Sequence, residues 1–275
     1  MPSSTLTDLL QWGRQQVDSL EAELLLAFAI KKPRVHLHTW PEQEASSEQL
    51  STYQKLIQLR IQGEPVAYLT GQREFWSQEL QVTSATLIPR PETETLVECA
   101  LTLINNIKQP QIADLGTGSG AIAIALATER QDAVITATDS SLDALTVAKQ
   151  NALNLKLTQI QFLHTSWCSD LAVNNFDLIA SNPPYIASDD PHLKQGDLRF
   201  EPVSALSSGA DGLDDIRIIC PGAYQCLKSG GWLILEHGYD QAESVLAILE
   251  SNSYINCGQT NDINGIPRVS WGQKP

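Results

Sequence analysis

Hydrophobic positions along this 275-residue chain keep two different rhythms. Up to about residue 70 they recur at helical spacing, with Leu6, Leu9, Leu10 and Val17 near one face and Leu20, Leu24, Ala27 and Phe28 near another. The most complete signal covers residues 46–63. Ser46 with Gln49 forms a capping box, Leu50, Tyr53, Leu56, Ile57 and Ile61 form the apolar stripe, and Gly63 is a natural stop. These segments predict a small helical bundle without a catalytic constellation. His36 and His38, on either side of Leu37, read as surface residues.

The character changes over residues 74–90. Phe75-Trp76 and Leu80-Gln81-Val82 predict two short strands around Ser77-Gln78, a hairpin joining two halves. A helix is expected over 93–107, with Leu96, Val97, Ala100, Leu103 and Ile104 on one side. Beyond residue 111, strands at 112–115, 133–138, 160–164, 176–181 and 232–236 alternate with helices at 121–130, 141–151 and 241–250. Alternation of this kind predicts an α/β fold with a mostly parallel sheet covered on both faces, whose ligands sit at the carboxyl ends of the strands. The polar, weakly periodic stretch 185–211 predicts a lid or substrate-contacting loop, anchored by Arg199, Phe200 and Glu201.

Composition excludes several classes. Eighteen basic against 32 acidic residues give a net charge of −14, a field that repels a nucleic-acid backbone. No apolar run is long enough to span a bilayer, and Met1-Pro2-Ser3-Ser4-Thr5 lacks the basic-then-apolar pattern of a secretory leader. The five cysteines include no Cys-x-x-Cys pair, which fits a reduced cytoplasm and predicts neither a disulfide framework nor a metal site.

Candidate chemistry falls at the strand ends. Asp114-Leu115-Gly116-Thr117-Gly118-Ser119-Gly120 follows a strand and opens a helix, and Asp139 ends the next strand nineteen residues after Gly120. Glycines there permit tight turns and close approach of a ligand, and the carboxylate is placed to accept from both hydroxyls of a ribose. Gly116-x-Gly118-x-x-Ala121 also fits a dinucleotide fingerprint, so a nicotinamide oxidoreductase competes at this point. Asp114 favours S-adenosylmethionine instead, because a carboxylate suits a cofactor carrying an ammonium and a sulfonium better than it suits a pyrophosphate. The second feature is Asn182-Pro183-Pro184-Tyr185, sixty-two residues beyond Gly120, after an apolar strand. Two prolines make the turn stiff and remove donors, leaving an excess of acceptors for a substrate –NH2 group. Hydrogen bonds from that group to the Asn182 side chain and the Pro183 carbonyl would orient it, with Tyr185 packing over its flat face. In-line methyl transfer would then need positioning more than a base.

With these motifs on the page, the chain resembles the S-adenosylmethionine-dependent amino methyltransferases, and within them the release factor glutamine methyltransferases of the HemK/PrmC type. The likeness extends through residues 63–71, Phe75, Ile88-Pro89-Arg90-Pro91-Glu92-Thr93-Glu94, His192-Leu193, residues 196–202, Ala205-Leu206 and Leu235-Glu236-His237-Gly238. It implies a helical substrate-recognition domain over 1–72, a hairpin linker over 73–90, and a Rossmann-like class I methyltransferase domain with a seven-stranded sheet over 91–275. It implies N5-methylation of the glutamine in the Gly-Gly-Gln motif of class-1 peptide chain release factors. The cofactor residues it implies are Gly116, Thr117, Gly118, Ser119, Gly120, Asp139, Trp167 and Asn182, and the glutamine pocket is Asn182, Pro183, Pro184 and Tyr185. Among these, Asn182, Pro183 and Tyr185 are the catalytic set. Ser166 stands where the family often has an acidic residue, so the adenine amino group would be met by Ser166 or water. Trp167 serves as an adenine wall or as core, and Arg90 and Thr93 touch the methionine end of the cofactor or cap the helix that follows. Phe75 encloses the cofactor or packs the hairpin, while His192 and His237 read as structural. The chemically nearest rival is an adenine-N6 or guanine-N2 methyltransferase of nucleic acid, against which the charge argues.

Overall fold

Five helices build the first unit, Met1–Gln72, of a computed structural model that describes residues 5–275. The opening Met1-Pro2-Ser3-Ser4, and with it the expectation that no secretory leader is present, lies outside the described residues. The helices are α1 (Leu6–Arg14), α2 (Ser19–Ile30), α3 (Arg34–Thr39), α4 (Ser47–Ile61) and α5 (Val66–Thr70). Polar caps set the starts. Asp18 accepts from the Leu20 N–H at 2.8 Å, and Ser46 and Gln49 bond each other's backbone at 2.9 and 3.2 Å in the predicted capping box. Leu6, Leu9, Leu25, Leu26, Leu37, Tyr53 and Ile57 form the core of this unit.

Two expectations need correction here. Val17 is not part of α1, because Asp18 is committed to capping α2 and the residues before it must turn. On α2, Leu20 and Phe28 are exposed while Leu25 and Leu26 are buried. This helix is apolar nearly all round, so spacing alone does not choose its buried face. Glu23 is buried on it, hydrogen-bonded by Arg34 and Arg14 at 2.7 Å each, and these guanidiniums, Arg34 foremost, hold its carboxyl down to about 2.

The second unit, Arg73–Pro275, begins in the hairpin β1 (Gln72–Phe75) and β2 (Gln78–Gln81). Its turn residues are Trp76 and Ser77, with φ of 51° and 56°, one position earlier than the sequence suggests. Two successive left-handed residues match the twist of the flanking strands, and that geometry overrides the turn propensity of Ser77-Gln78. The hairpin is bonded to this unit through the Trp76 N–H to Glu94 (2.9 Å) and the Gln81 N–H to Asn151 (2.7 Å).

The sheet has seven strands in the order β5-β4-β3-β6-β7-β9-β8. They are β3 (Gln111–Leu115), β4 (Val134–Asp139), β5 (Ile160–His164), β6 (Phe176–Ser181), β7 (Leu227–Glu236), β8 (Ile255–Asn261) and β9 (Pro267–Gln273). The first five are parallel and β9 is antiparallel to both its neighbours. Helices α6 (Glu94–Leu103), α7 (Ala121–Glu129) and α8 (Leu142–Asn154) bury Leu96, Ile124 and Ala152 against one face. Helices α9 (Asp214–Cys226) and α10 (Ala242–Ser251) bury Ile216, Ile219, Val245 and Leu249 against the other. The chain runs outward from β3 through β4 and β5, then returns to lay β6 on the opposite side of β3. Its topological switch point therefore lies between the carboxyl ends of β3 and β6, where an open α/β sheet forms a crevice. No helix among the described residues is long and apolar enough to cross a membrane.

Candidate functional site

A cavity of about 470 Å3 opens at that switch point. Its walls come from the glycine loop (Gly116, Thr117, Gly118, Ser119), the end of β4 (Asp139, Ser140), Ser166-Trp167, the turn after β6 (Asn182, Pro184) and the segment that carries Arg90 and Thr93. Of the sequence-predicted residues, Gly120, Pro183 and Tyr185 do not line it.

The loop is built by one carboxylate. Asp114, at 0% exposure, accepts from the Thr117 hydroxyl at 2.6 Å and from the Ala123 N–H at 3.1 Å. Helix α7 begins at Gly120, which has no side chain to cap it, so the preceding strand supplies the cap. Burial pushes the Asp114 carboxyl up to about 7, with Asp139 adding to the rise, and its Oδ1 has no hydrogen-bond partner. Gly116 (φ 70°) has the Trp167 ring against it, and a Cβ there would sit 3.1 Å from the indole. Gly118 (φ 57°) faces open space, and its N–H donates to Asp139 Oδ2 at 2.9 Å. The other Asp139 oxygen accepts from the Ser141 N–H at 2.8 Å. Backbone donors thus hold the carboxylate in place, while lone pairs remain for a ligand on the cavity side.

Trp167 presents its ring to the glycine loop from a left-handed backbone (φ 48°), which a bulky residue rarely adopts. The turn after β6 is pinned by Ser181, whose hydroxyl donates to the Leu115 carbonyl at 2.8 Å and ties the ends of β6 and β3 together. Next to it, Asn182 Nδ2 donates to Thr93 Oγ1 at 3.1 Å, and Asn182 Oδ1 is buried without a partner. A buried orphan acceptor is costly unless a ligand supplies the donor. Tyr185 turns away from the cavity, its hydroxyl 3.4 Å from Glu236 Oε1 at the end of β7. Phe75 is buried in the core that the hairpin shares with α6 and α7, away from the cavity lining.

Segment 186–211 carries three short 3-10 turns, Pro191–Lys194, Gly196–Phe200 and Val203–Ala205. Both its ends are held by Gln241, whose Nε2 donates to the carbonyls of Tyr185 and Asp211 at 3.0 Å each. Its middle is clasped by Glu201, which accepts from the Ile88 N–H at 3.0 Å and is ion-paired with Arg90. Pro202, Ser204 and Ala205 then reach the cavity wall. Arg199 lies over the Phe200 ring at 5.0 Å, while His192 pairs with Asp190 on the surface. His237 is buried against Ser270 and its own strand end, and burial lowers its pKa. Removing the clasp should loosen the segment. Glu201→Ala is expected to speed native-state tryptic cleavage after Lys194 and Arg199 by about 100-fold or more, because losing two charge-assisted bonds, at roughly 1.5–3 kcal/mol each, lowers the opening free energy by about 3 kcal/mol or more. Unchanged cleavage rates would show that other contacts hold the segment.

Sequence reasoning missed Glu236 and the pairing of Thr93 with Asn182. A charged residue ending an otherwise apolar strand at the switch point was the available signal.

Comparison with known proteins follows the same division. Residues 6–71 match the family model described as the PrmC N-terminal domain, and residues 93–197 match the methyltransferase small domain. The release factor glutamine methyltransferase of Xylella fastidiosa (strain Temecula1) is 46% identical over 267 residues, covering 97% of each chain. That of Shewanella oneidensis is 45% identical, with 98% of this chain and 96% of the relative covered. Salmonella typhimurium has one at 44% identity, with 97% and 99% covered. Among solved structures, the T. thermophilus 16S rRNA methyltransferase RsmC, in complex with AdoMet and guanosine, has a TM-score of 0.55 at 18% identity over 74% of this chain and 50% of that one. A ribosomal protein L11 methylase from Lactobacillus delbrueckii has a TM-score of 0.51 at 21% identity, covering 71% of this chain and 86% of that one. At these identities the two structures share the fold.

Proposed function

The chain belongs to the release factor glutamine methyltransferase family, and on that premise we propose that it methylates N5 of the glutamine in the Gly-Gly-Gln motif of a class-1 peptide chain release factor, with S-adenosylmethionine as donor. The observation that carries this reading is the buried, unpartnered Asn182 Oδ1 on the cavity wall, an acceptor waiting for an N–H.

The residues present fit the cofactor. Asp139 keeps free lone pairs for a ribose, the absent Cβ of Gly118 leaves space on the cavity side, and Trp167 offers an aromatic wall beside Ser166. Bound there, S-adenosylmethionine supplies an electrophilic methyl on a sulfonium. The protein's own task is then to present a poor nucleophile. An amide nitrogen has its lone pair delocalised into the carbonyl, so it must pyramidalise and gain positive charge as it attacks. Asn182 Oδ1 accepts one of its N–H groups, and that bond strengthens as the charge develops, while Pro183, off the cavity wall, acts by fixing the turn. Pro183 and Pro184 fix the turn before substrate arrives, so little ordering is left for the encounter. Asp114 shapes the glycine loop from beneath without entering the cavity. Tyr185, turned to Glu236 and off the cavity wall, is not placed to pack over the substrate's flat face as the sequence suggests.

The decisive experiment is mass spectrometry of a recombinant class-1 release factor after incubation with enzyme and S-adenosylmethionine. One added methyl on the Gly-Gly-Gln glutamine supports the reading. Methyl transfer to RNA or DNA in parallel reactions, with none to the factor, overturns it. The helical unit is assigned to substrate recognition, so removing residues 1–72 should lower kcat/KM on whole release factor by at least about tenfold, equal to 1.4 kcal/mol of lost contact. The cofactor dissociation constant should hold, and steady-state kinetics with calorimetry separate the two.

A further inference from the structure

Helix α8 is tied to the cavity at both ends. At its start, the Ser141 N–H is held by Asp139. In its last turn lies Asn151, 2% exposed and outside the cavity lining. Its Oδ1 accepts from the Gln81 N–H at 2.7 Å, and its Nδ2 donates to the Gln81 carbonyl at 2.9 Å and to the Ser119 carbonyl at 2.8 Å. Toward Gln81, at the end of β2, the side chain exchanges the same pair of bonds that a neighbouring strand would. Its remaining bond reaches the glycine loop, where Ser119 lines the cavity. Reversing the amide would set its oxygen against two carbonyls and its NH2 against an N–H, so the partners fix its orientation. Ala148, on the same face of α8, closes the contact: a Cβ on Gly120 would lie 3.3 Å from the Ala148 Cβ.

We infer that Asn151 is a positioning residue for the cofactor, holding the glycine loop and the end of the hairpin at one fixed separation. Two walls of the cavity depend on the groups it joins. Ser119 belongs to the glycine-loop wall, and the chain leaving Gln81 becomes the wall made by Ser84, Ala85, Thr86, Leu87, Pro89 and Arg90. Little slack separates Gln81 from that wall. Val82 is buried, and the Thr86 N–H turns back onto the Thr83 carbonyl at 3.0 Å, so a displacement of Gln81 passes directly into the wall. The amide thus sets the width of the cavity before the cofactor arrives, which reduces the ordering that binding must impose.

Coupling of this kind runs in both directions. A ligand that steadies the glycine loop must also steady the hairpin end, although Gln81 itself does not line the cavity. Without the amide, loop and hairpin move separately, and only a fraction of the molecules present the correct width at any moment. The apparent dissociation constant then rises by the reciprocal of that fraction. Turnover at saturating cofactor is spared, because every occupied molecule has its walls in place and Asn182 stands on the turn after β6, outside the clamp.

This inference rests on the cofactor half of the proposed function, and the test keeps the two apart. Full-length wild type, Asn151→Ala, Asn151→Asp and Gln159→Ala are titrated with S-adenosylmethionine by calorimetry, and kcat is measured at saturating cofactor with a recombinant class-1 release factor. Gln159→Ala controls for lost stability, since Gln159 Nε2 donates to the Ala127 carbonyl of α7 at 2.9 Å, away from the cavity lining. Asn151→Ala should weaken cofactor binding by about 10–100-fold and leave kcat within about threefold of the wild type. Asn151→Asp keeps the acceptor for the Gln81 N–H but turns an oxygen without a proton toward Ser119, and should behave alike. Gln159→Ala should lower the melting temperature and keep the wild-type affinity. Native-state hydrogen exchange of the wild type gives a measurement that needs no variant: S-adenosylmethionine should slow the Gln81 amide together with that of Gly120. An Asn151→Ala enzyme with wild-type affinity overturns the inference, as does a Gln159→Ala enzyme that loses affinity equally, or a Gln81 amide whose exchange ignores the cofactor. Should both Asn151 variants fail to fold, the exchange measurement decides alone. A wild type that binds no S-adenosylmethionine overturns the functional reading itself.

Discussion

Asn182→Ala is expected to lower kcat for release-factor methylation by about 10²–10³-fold while the S-adenosylmethionine dissociation constant stays within about threefold of the wild type. The substitution removes Oδ1, the buried acceptor that no group of the protein satisfies. Its contribution grows along the reaction, because the amide N–H groups become better donors as the nitrogen turns cationic. Such an interaction is lost from kcat and not merely from KM. The backbone should survive the change. Pro183 and Pro184 hold the turn, and the Ser181 hydroxyl still ties it to the Leu115 carbonyl. Thr93, freed of its donor, lies on the cavity wall where water can replace it. Single-turnover methyl transfer and calorimetry on the same preparation check both halves, and a variant with wild-type turnover would put the reactive pocket elsewhere.

How much of this was legible in the sequence depends on the range of the interaction. The glycine loop could be read because a strand, a run of glycines and a helix are adjacent in the chain, with Asp139 one strand further on. Asn182 could be read because two prolines declare a stiff turn wherever they fall. The link from Asn182 to Thr93 spans 89 residues, and that from Tyr185 to Glu236 spans 51. Periodicity carries no information about either. Thr93 looked equally suited to capping α6 or to touching the cofactor, yet it makes no side-chain cap, and its hydroxyl is taken by Asn182.

Other misses have equally local causes. Helix α9 contains Pro221 in its interior, a residue that ordinarily argues against a helix, so the sequence does not predict it. The hydrophobic pattern does not predict strands β8 and β9, because β8 alternates poorly, with Ile255 exposed at its start. That hairpin completes the sheet beside β7, with Glu236 paired in register to Val269 of β9. The clasp was half legible. The sequence marks Glu201 as an anchor with Arg199 and Phe200, and places Arg90 at the cofactor or at the cap of the next helix. The structure joins Glu201 to Arg90 and leaves Arg199 over Phe200.

Asp139→Ala is expected to produce the opposite kinetic signature, weakening S-adenosylmethionine binding by about 10²–10³-fold with a much smaller change in kcat at saturating cofactor. Two losses combine. The carboxylate accepts the Gly118 N–H at 2.9 Å and the Ser141 N–H at 2.8 Å, so alanine strips one acceptor from the glycine loop and one from the start of α8. It also removes the anionic acceptor offered to the ribose. Hydrogen bonds to a charged group are worth roughly 1.5–3 kcal/mol each, which sets the expected range. Asp139→Asn should fall between. Its amide oxygen can keep one backbone N–H, while its NH2 must face the other donor. On the proposed reading the methyl acceptor sits at Asn182, at the end of β6 rather than β4, so the chemical step should proceed once cofactor is forced in. Calorimetric titration together with kcat at saturation separates these effects. An Asp139→Ala enzyme that binds cofactor as the wild type does would show that the carboxylate serves only to shape the loop, and the ribose would have to be held by other groups on the cavity wall.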